Sequence, residues 1–211
     1  PKQIRNRVHS LYGFVRVADE FVDNPGEASK QETLLKLADW RRQMIDGLNG
    51  KRPDHPAMRA FCDLLRECEV PTSEADCFMD AMEMDLWKSR YATYEELRQY
   101  MRGSACAIGV MMCYAMKTSL STSSLDSAMA LGEAMQLTNF LRDISEDLVR
   151  DRIYMPQDEL SRFGVTEEDL RQGNMGPNFQ AFMAFQIARA RALYAQSDQG
   201  IEGLPRYARP A

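Results

Sequence analysis

Residues 137–160, LTNFLRDISEDLVRDRIYMPQDEL, carry six carboxylates between Asp143 and Glu159, yet they begin on an apolar Leu-Thr-Asn-Phe-Leu run. Leu137, Leu141, Ile144 and Leu148 recur at helical spacing and predict the packed back of a helix over 125–150. Gln136, Asn139, Asp143 and Asp147 form a polar row on another face. Further back along that face stand Ala128, Leu131, Gly132 and Met135. A solvated row has no reason to turn apolar there, whereas a cavity with a polar mouth and an apolar depth does.

The rest of the chain has the same period. Val8, Leu11, Val15, Ala18 and Val22 mark a first amphipathic helix, broken by Pro25 and Gly26. Helical patterns follow at 30–48, 56–68, 73–88, 94–117 and 178–197, with no run that needs a strand and no internal repeat. The expectation is an all-α helical bundle. At 211 residues it suits a single domain, 1–211. Pro1 already lies near helical periodicity and the closing GLPRYARPA carries breakers, so N-terminal and C-terminal segments of a longer protein are expected to be missing.

Composition narrows the function. A net charge of −5 argues against nucleic acid as the main partner, since phosphate binding needs a basic face. Five cysteines without Cys-x-x-Cys spacing and only two histidines argue against a zinc site or a disulfide framework; Cys106 and Cys113, seven apart in an apolar stretch, read as core thiols, and the usage suits a reducing cytoplasm. The longest apolar stretch, 105–116, is too short to span a bilayer, and no signal peptide opens the chain. Fourteen methionines suit an adaptable apolar lining as well as a core.

Two Asp-x-x-x-Asp pairs carry the chemistry: Asp19/Asp23 in RVADEFVD and Asp143/Asp147 in NFLRDISED. Carboxylates four apart share a helix face and repel by about 0.2–0.5 kcal/mol unless a cation offsets them. Oxygen ligands so placed suit Mg²⁺, which keeps waters and completes its shell with phosphate oxygens. Asp76/Asp80 and Asp147/Asp151 have the same spacing, so one pair alone more often marks a solvated face. Tyr12, Arg16, Asp19 and Asp23 fall within a sector of about 60° beside the apolar stripe. Arg16, Arg142, Arg150 and Arg152 lie close in sequence to the acids and suit phosphate oxygens, although pairing on a helix surface also explains them. Two acidic helices facing each other across a bundle would hold Mg²⁺ and a diphosphate above an apolar pocket, an arrangement suited to ionising an allylic diphosphate.

At these residues the chain resembles the squalene/phytoene synthase family. YGFVRVADEFVD (12–23) is similar to the family's first aspartate-rich motif, and MQLTNFLRDISEDLVRDRIYMPQDEL (135–160) to its second, about 120 residues later. MEMDL (82–86), the Tyr91–Tyr100 stretch and GSACAIG (103–109) are similar to its middle helices, so the resemblance spans roughly residues 1–205. It implies an isoprenoid-synthase-type bundle around a central cavity. The implied activity joins two prenyl diphosphates head to head through a cyclopropylcarbinyl diphosphate. Carried over by position, Asp19, Asp23, Asn139, Asp143 and Asp147 would hold Mg²⁺, or Mn²⁺ in its place, together with diphosphate. Arg16, Arg142 and Arg152 would bind the diphosphates, and Tyr12 and Gln136 would line the substrate end. Tyr100 would stand near the reacting carbons. Ala105, Ile108, Gly109, Leu131 and Met135 would line the tail pocket. Two departures stand out: Asp151 occupies a position often held by Gly, and GSACAIG replaces the commoner Val-Ala-Gly pattern.

The first expectation is a phytoene synthase of bacterial type acting on geranylgeranyl diphosphate. The alternative is the same chemistry on farnesyl diphosphate, giving dehydrosqualene or, with NADPH, squalene. A non-catalytic helical assembly protein is the reading from another class, and two intact acidic rows weigh against it. Cytoplasmic location with peripheral contact at the inner membrane surface is expected from the apolar product.

Overall fold

The computed structural model describes residues 2–200 and Leu204. Eleven α-helices stand among the described residues, with no strand. They are α1 (Lys2–Asp23), α2 (Lys30–Leu48), α3 (Pro56–Cys68), α4 (Thr72–Met84), α5 (Tyr94–Met101), α6 (Ala107–Met116), α7 (Thr122–Arg142), α8 (Ile144–Val149), α9 (Gln157–Phe163), α10 (Glu167–Gln172) and α11 (Pro177–Asp198). The all-α expectation holds. Most of the closing segment, read from sequence as a loop, lies outside the described residues.

Local signals set the boundaries. Ser29 opens α2 with a capping box to Glu32. His55 caps α3 ahead of Pro56 at the first turn, its Nδ1 accepting the Ala57 N–H at 3.2 Å. Thr93 caps α5. The core forms where α1, α2, α3 and α4 meet. Phe14 stacks on Phe61 at 3.9 Å between ring centroids and leans on Phe78, while Trp40 Nε1 donates to the Phe14 carbonyl at 3.3 Å. Burying each such ring contributes about 1.5–3 kcal/mol. All five cysteines are free thiols, four of them buried, and Cys106 and Cys113 lie in the core as expected. No helix among the described residues is long and apolar enough to cross a membrane.

Two expected helices are interrupted. The 94–117 helix contains a π-helical segment, Arg102–Cys106, between α5 and α6. An inserted residue of this kind re-aims the side chains after it and is frequent at functional sites. The 125–150 helix breaks at Asp143, whose φ of −101° and ψ of 20° separate α7 from α8. Thr138 Oγ1 donates back to the Ala134 carbonyl at 2.8 Å just ahead of that break, a contact that bends helices. Asp147 N–H still reaches the Asp143 carbonyl at 2.9 Å, so both aspartates keep one side.

Glycine fixes how closely α6 and α7 cross. A Cβ on Gly109 would lie 2.6 Å from the Ala128 carbonyl oxygen, and one on Gly132 would lie 2.8 Å from that of Ala105. This close crossing places Ala105, Ile108, Leu131 and Met135 around a common space.

Candidate active site

Two cavities share a wall beside α7. The polar one, of about 320 Å³, receives Asp19, Val22 and Asp23 from α1, Met82 and Asp85 from the end of α4, and Tyr100 from α5. Gln136, Asn139, Phe140, Asp143 and Asp147 close it from α7, the break and α8, with Arg150, Arg152 and Tyr154 from the following loop. The two acidic rows therefore meet across one space. The apolar cavity, of about 370 Å³, is walled by Ala105, Ile108, Gly109, Met112, Met116, Leu131 and Met135 among others. Ser104, Ile108, Gln136 and Asn139 line both.

The charges in the polar cavity are out of balance. Burial, then Asp23, pushes the Asp19 carboxyl up to about 7, with Arg16 opposing. Burial, then Asp143, pushes Asp147 up to about 6. Asp143 moves the other way, held below the usual carboxylate range by hydrogen bonds from Arg142. Arg152 Nη1 bonds Asp23 Oδ1 at 3.0 Å, tying the loop after α8 to the first acidic row. Among the described residues no three His, Cys, Asp or Glu side chains cluster tightly enough to hold a metal unaided. The donors available are all hard oxygens in separated groups, and two of them, Asp19 and Asp147, make no direct ion pair among the described residues. That set fits Mg²⁺, which takes one or two carboxylates and leaves the remaining positions to water and phosphate.

Asp85 organises the inner end, and sequence reading did not select it. Its Oδ2 accepts the Tyr100 hydroxyl at 2.6 Å and its Oδ1 the Tyr154 hydroxyl at 3.1 Å. Burial raises the Asp85 carboxyl, Arg152 opposing. Burial, then Asp85, raises the Tyr100 hydroxyl well above its usual range, so it stays protonated. Tyr154 stacks on Phe140 at 4.1 Å and on Tyr100 at 5.6 Å, which makes an aromatic wall. The available signal was a lone Asp within MEMDL, an apolar helix end.

Other expected residues lie elsewhere. Tyr12 is 64% exposed and lines neither cavity, because the cavity meets only the C-terminal half of the α1 row. Arg16 is also exposed and pairs with Glu20 at 2.9 Å. Arg142 turns outward onto its neighbour Asp143 at 2.6 Å and lines neither cavity. Asp151, at a φ of 53°, points away from the cavity to Arg90 at 2.9 Å and Arg171 at 2.6 Å, so it adds no repulsion inside.

Phytoene synthase 2 of Zea mays is 37% identical over 205 residues, which are 95% of this chain and 50% of that protein. The 15-cis-phytoene synthase of Synechococcus elongatus is 34% identical, with 99% of this chain and 70% of that one covered. Squalene synthase HpnC from Alicyclobacillus acidocaldarius superposes with a TM-score of 0.89 at 26% identity, over 97% of this chain and 76% of that one. A dehydrosqualene synthase solved with ligand gives 0.88 at 27%, over 98% and 70%. The chain spans about half the length of the maize protein. Its residues 1–211 match the squalene/phytoene synthase family model throughout, and the chain belongs to that family.

Proposed function

We propose that this chain condenses two prenyl diphosphates head to head, most readily two geranylgeranyl diphosphates to phytoene. One observation carries the reading: an acidic cavity and an apolar one share Ser104, Ile108, Gln136 and Asn139 as a common throat. A molecule with a diphosphate head and a hydrocarbon tail fills both, and its allylic carbon then lies at the throat.

Asp19 and Asp23 on one side, and Asn139, Asp143 and Asp147 on the other, would hold Mg²⁺, which neutralises a diphosphate and makes it a better leaving group. Arg152 faces the same space and can donate to phosphate oxygens when Asp23 is otherwise engaged. Arg150 lines the cavity without an ion pair and is free to do likewise. The Tyr100 hydroxyl keeps its proton on the Asp85 side, and the stacked rings of Tyr100, Tyr154 and Phe140 offer π-faces to a developing carbocation. Met112, Met116, Leu131 and Met135 offer the tail apolar surface, and a tail laid against Leu131 and Met135 would cover them from water. An apolar product of this kind suits peripheral contact with a membrane surface.

The second reading, farnesyl diphosphate as substrate, draws on the squalene and dehydrosqualene synthases that share the fold. A squalene product would require a hydride from NADPH; dehydrosqualene and phytoene would not. The phytoene synthases match at the higher identity, which favours the longer substrate. Incubation with each diphosphate and Mg²⁺, with and without NADPH, followed by hydrocarbon analysis, separates the products. No diphosphate release from either substrate refutes the proposal.

A further inference from the structure

Behind the acidic cavity, across a wall of Val22, Asp85, Arg150 and Arg152, lies a second polar cavity of about 240 Å³. The start of α2 and the 85–89 turn close its far side. Its charge is reversed. Lys30, Lys88, Arg150 and Arg152 line it against only two carboxylates, Asp85 and Asp151. Both carboxylates are engaged elsewhere, Asp85 by the Tyr100 and Tyr154 hydroxyls and Asp151 by Arg90 and Arg171. Lys88 pairs with Glu96. Lys30 makes no ion pair; its ammonium sits 5.6 Å from the Trp87 ring centroid. The Thr33 hydroxyl lies fully buried in the wall with no hydrogen-bond partner. The acidic cavity, by contrast, sets five carboxylates against Arg150 and Arg152.

We propose that this rear cavity binds inorganic diphosphate and receives the leaving group after the acidic cavity has released it. When an allylic diphosphate ionises, the C–O bond breaks, its electron pair stays on the diphosphate oxygen, and a compact multivalent anion must leave. The tail pocket is apolar and the front cavity is acidic. Arg150 and Arg152 line both cavities, Arg152 holding Asp23 on the front side, and beyond them Lys30 and Lys88 make the field favour an anion. A prenyl tail finds its match in the larger apolar cavity, whereas the rear cavity sets four cations among Val22, Pro25, Ala28, Leu86 and Trp87. The volume accommodates diphosphate with several waters. The role in release rests on the proposed condensation; the binding itself does not.

Trp87 is 59% exposed beside the cavity, whereas Trp40, the other tryptophan, is 2% exposed in the core. Tryptophan emission of the whole chain should therefore change saturably as inorganic diphosphate is titrated in with EDTA present. The change should vanish in Trp87→Phe, and Lys30→Glu should weaken binding by about tenfold or more. Lys30 is an exposed first residue of α2, where a carboxylate favours the helix, so that variant should fold; its thermal midpoint verifies this. Absence of a saturable change, or an unaltered affinity in Lys30→Glu, overturns the proposal. If diphosphate binds at Trp87 but no prenyl diphosphate is turned over, the rear site stands and the condensation reading falls.

Discussion

Replacing Asp19 with Asn in the metal-free protein should flatten the dependence of stability on pH. The Asp19 carboxyl is raised from 3.8 to about 7, chiefly by burial and then by Asp23. A raised acid contributes stability that is fully present below its unfolded value and lost as pH rises through its folded value. Here the loss runs from about pH 4 to about pH 7. At about 1.36 kcal/mol per unit, unfolding free energy should fall by about 3 kcal/mol between pH 5 and 8, trimmed to about 2 by solvent at this part-exposed group. Asp147, pushed up to about 6, acts with the same sign. Chemical denaturation in EDTA at several pH values across that range measures the slope. Asp19→Asn should remove about 2 kcal/mol of the decline and should be more stable than the parent at pH 8. Millimolar Mg²⁺ should restore more stability to the parent at pH 8 than at pH 6, since it binds the ionised form. An equal slope in parent and variant, or a less stable variant at pH 8, would mean that Asp19 carries no uncompensated charge, and the metal assignment would lose its physical basis.

Asp143→Ala should abolish diphosphate release while far-ultraviolet circular dichroism stays nearly unchanged, because Asp143 already lies at a helix break. Arg152→Gln should lower kcat/KM by about 10–100-fold, or about 1.4–2.7 kcal/mol, by freeing Asp23 and removing a phosphate donor. Gly109→Ala should cost about 1–3 kcal/mol in thermal or denaturant unfolding, since its Cβ would meet the Ala128 carbonyl at 2.6 Å. Glu159→Ala should cost about 3–5 kcal/mol by the same assay, because it strands Arg189 and the fully buried Gln186.

Helix existence and most boundaries were legible, since periodicity reports which face is buried and capping residues report where a turn begins. Residues 30–48 and 56–68 match α2 and α3 to the residue. Periodicity could not register the π-helical segment at 102–106, because residues 105–116 are apolar on nearly every face and show no phase for an inserted residue to shift. It also missed the break at Asp143, because Asp143 and Asp147 keep their common side through the Asp147 N–H bond. The short α9 and α10 gave little signal beyond Asp158 and Glu159 at the start of one of them. Asp85 was out of reach for another reason. Its significance comes from the hydroxyls of Tyr100 and Tyr154, 15 and 69 residues away in sequence, and only the fold brings those to it.

Spacing alone could not tell a working pair of aspartates from an idle one; compensation by neighbouring cations does. Asp76 and Asp80 repeat the spacing of Asp19 and Asp23, but Arg41 reaches both, at 3.1 Å and 2.6 Å, and Glu83 besides. Asp151 is shared by Arg90 and Arg171. Asp19 and Asp147 make no ion pair among the described residues, and burial, then a neighbouring aspartate, raises their carboxyls. The buried hydroxyls of Tyr91 and Ser104 also lack partners, Ser104 in the throat itself and Tyr91 against the Tyr100 and Tyr154 rings. A bundle selected for stability alone would gain by pairing or deleting such groups, as it has done around Arg41. Asp19, Asp147 and the Ser104 hydroxyl meet at one cavity, and an external cation and a polar ligand would balance them there.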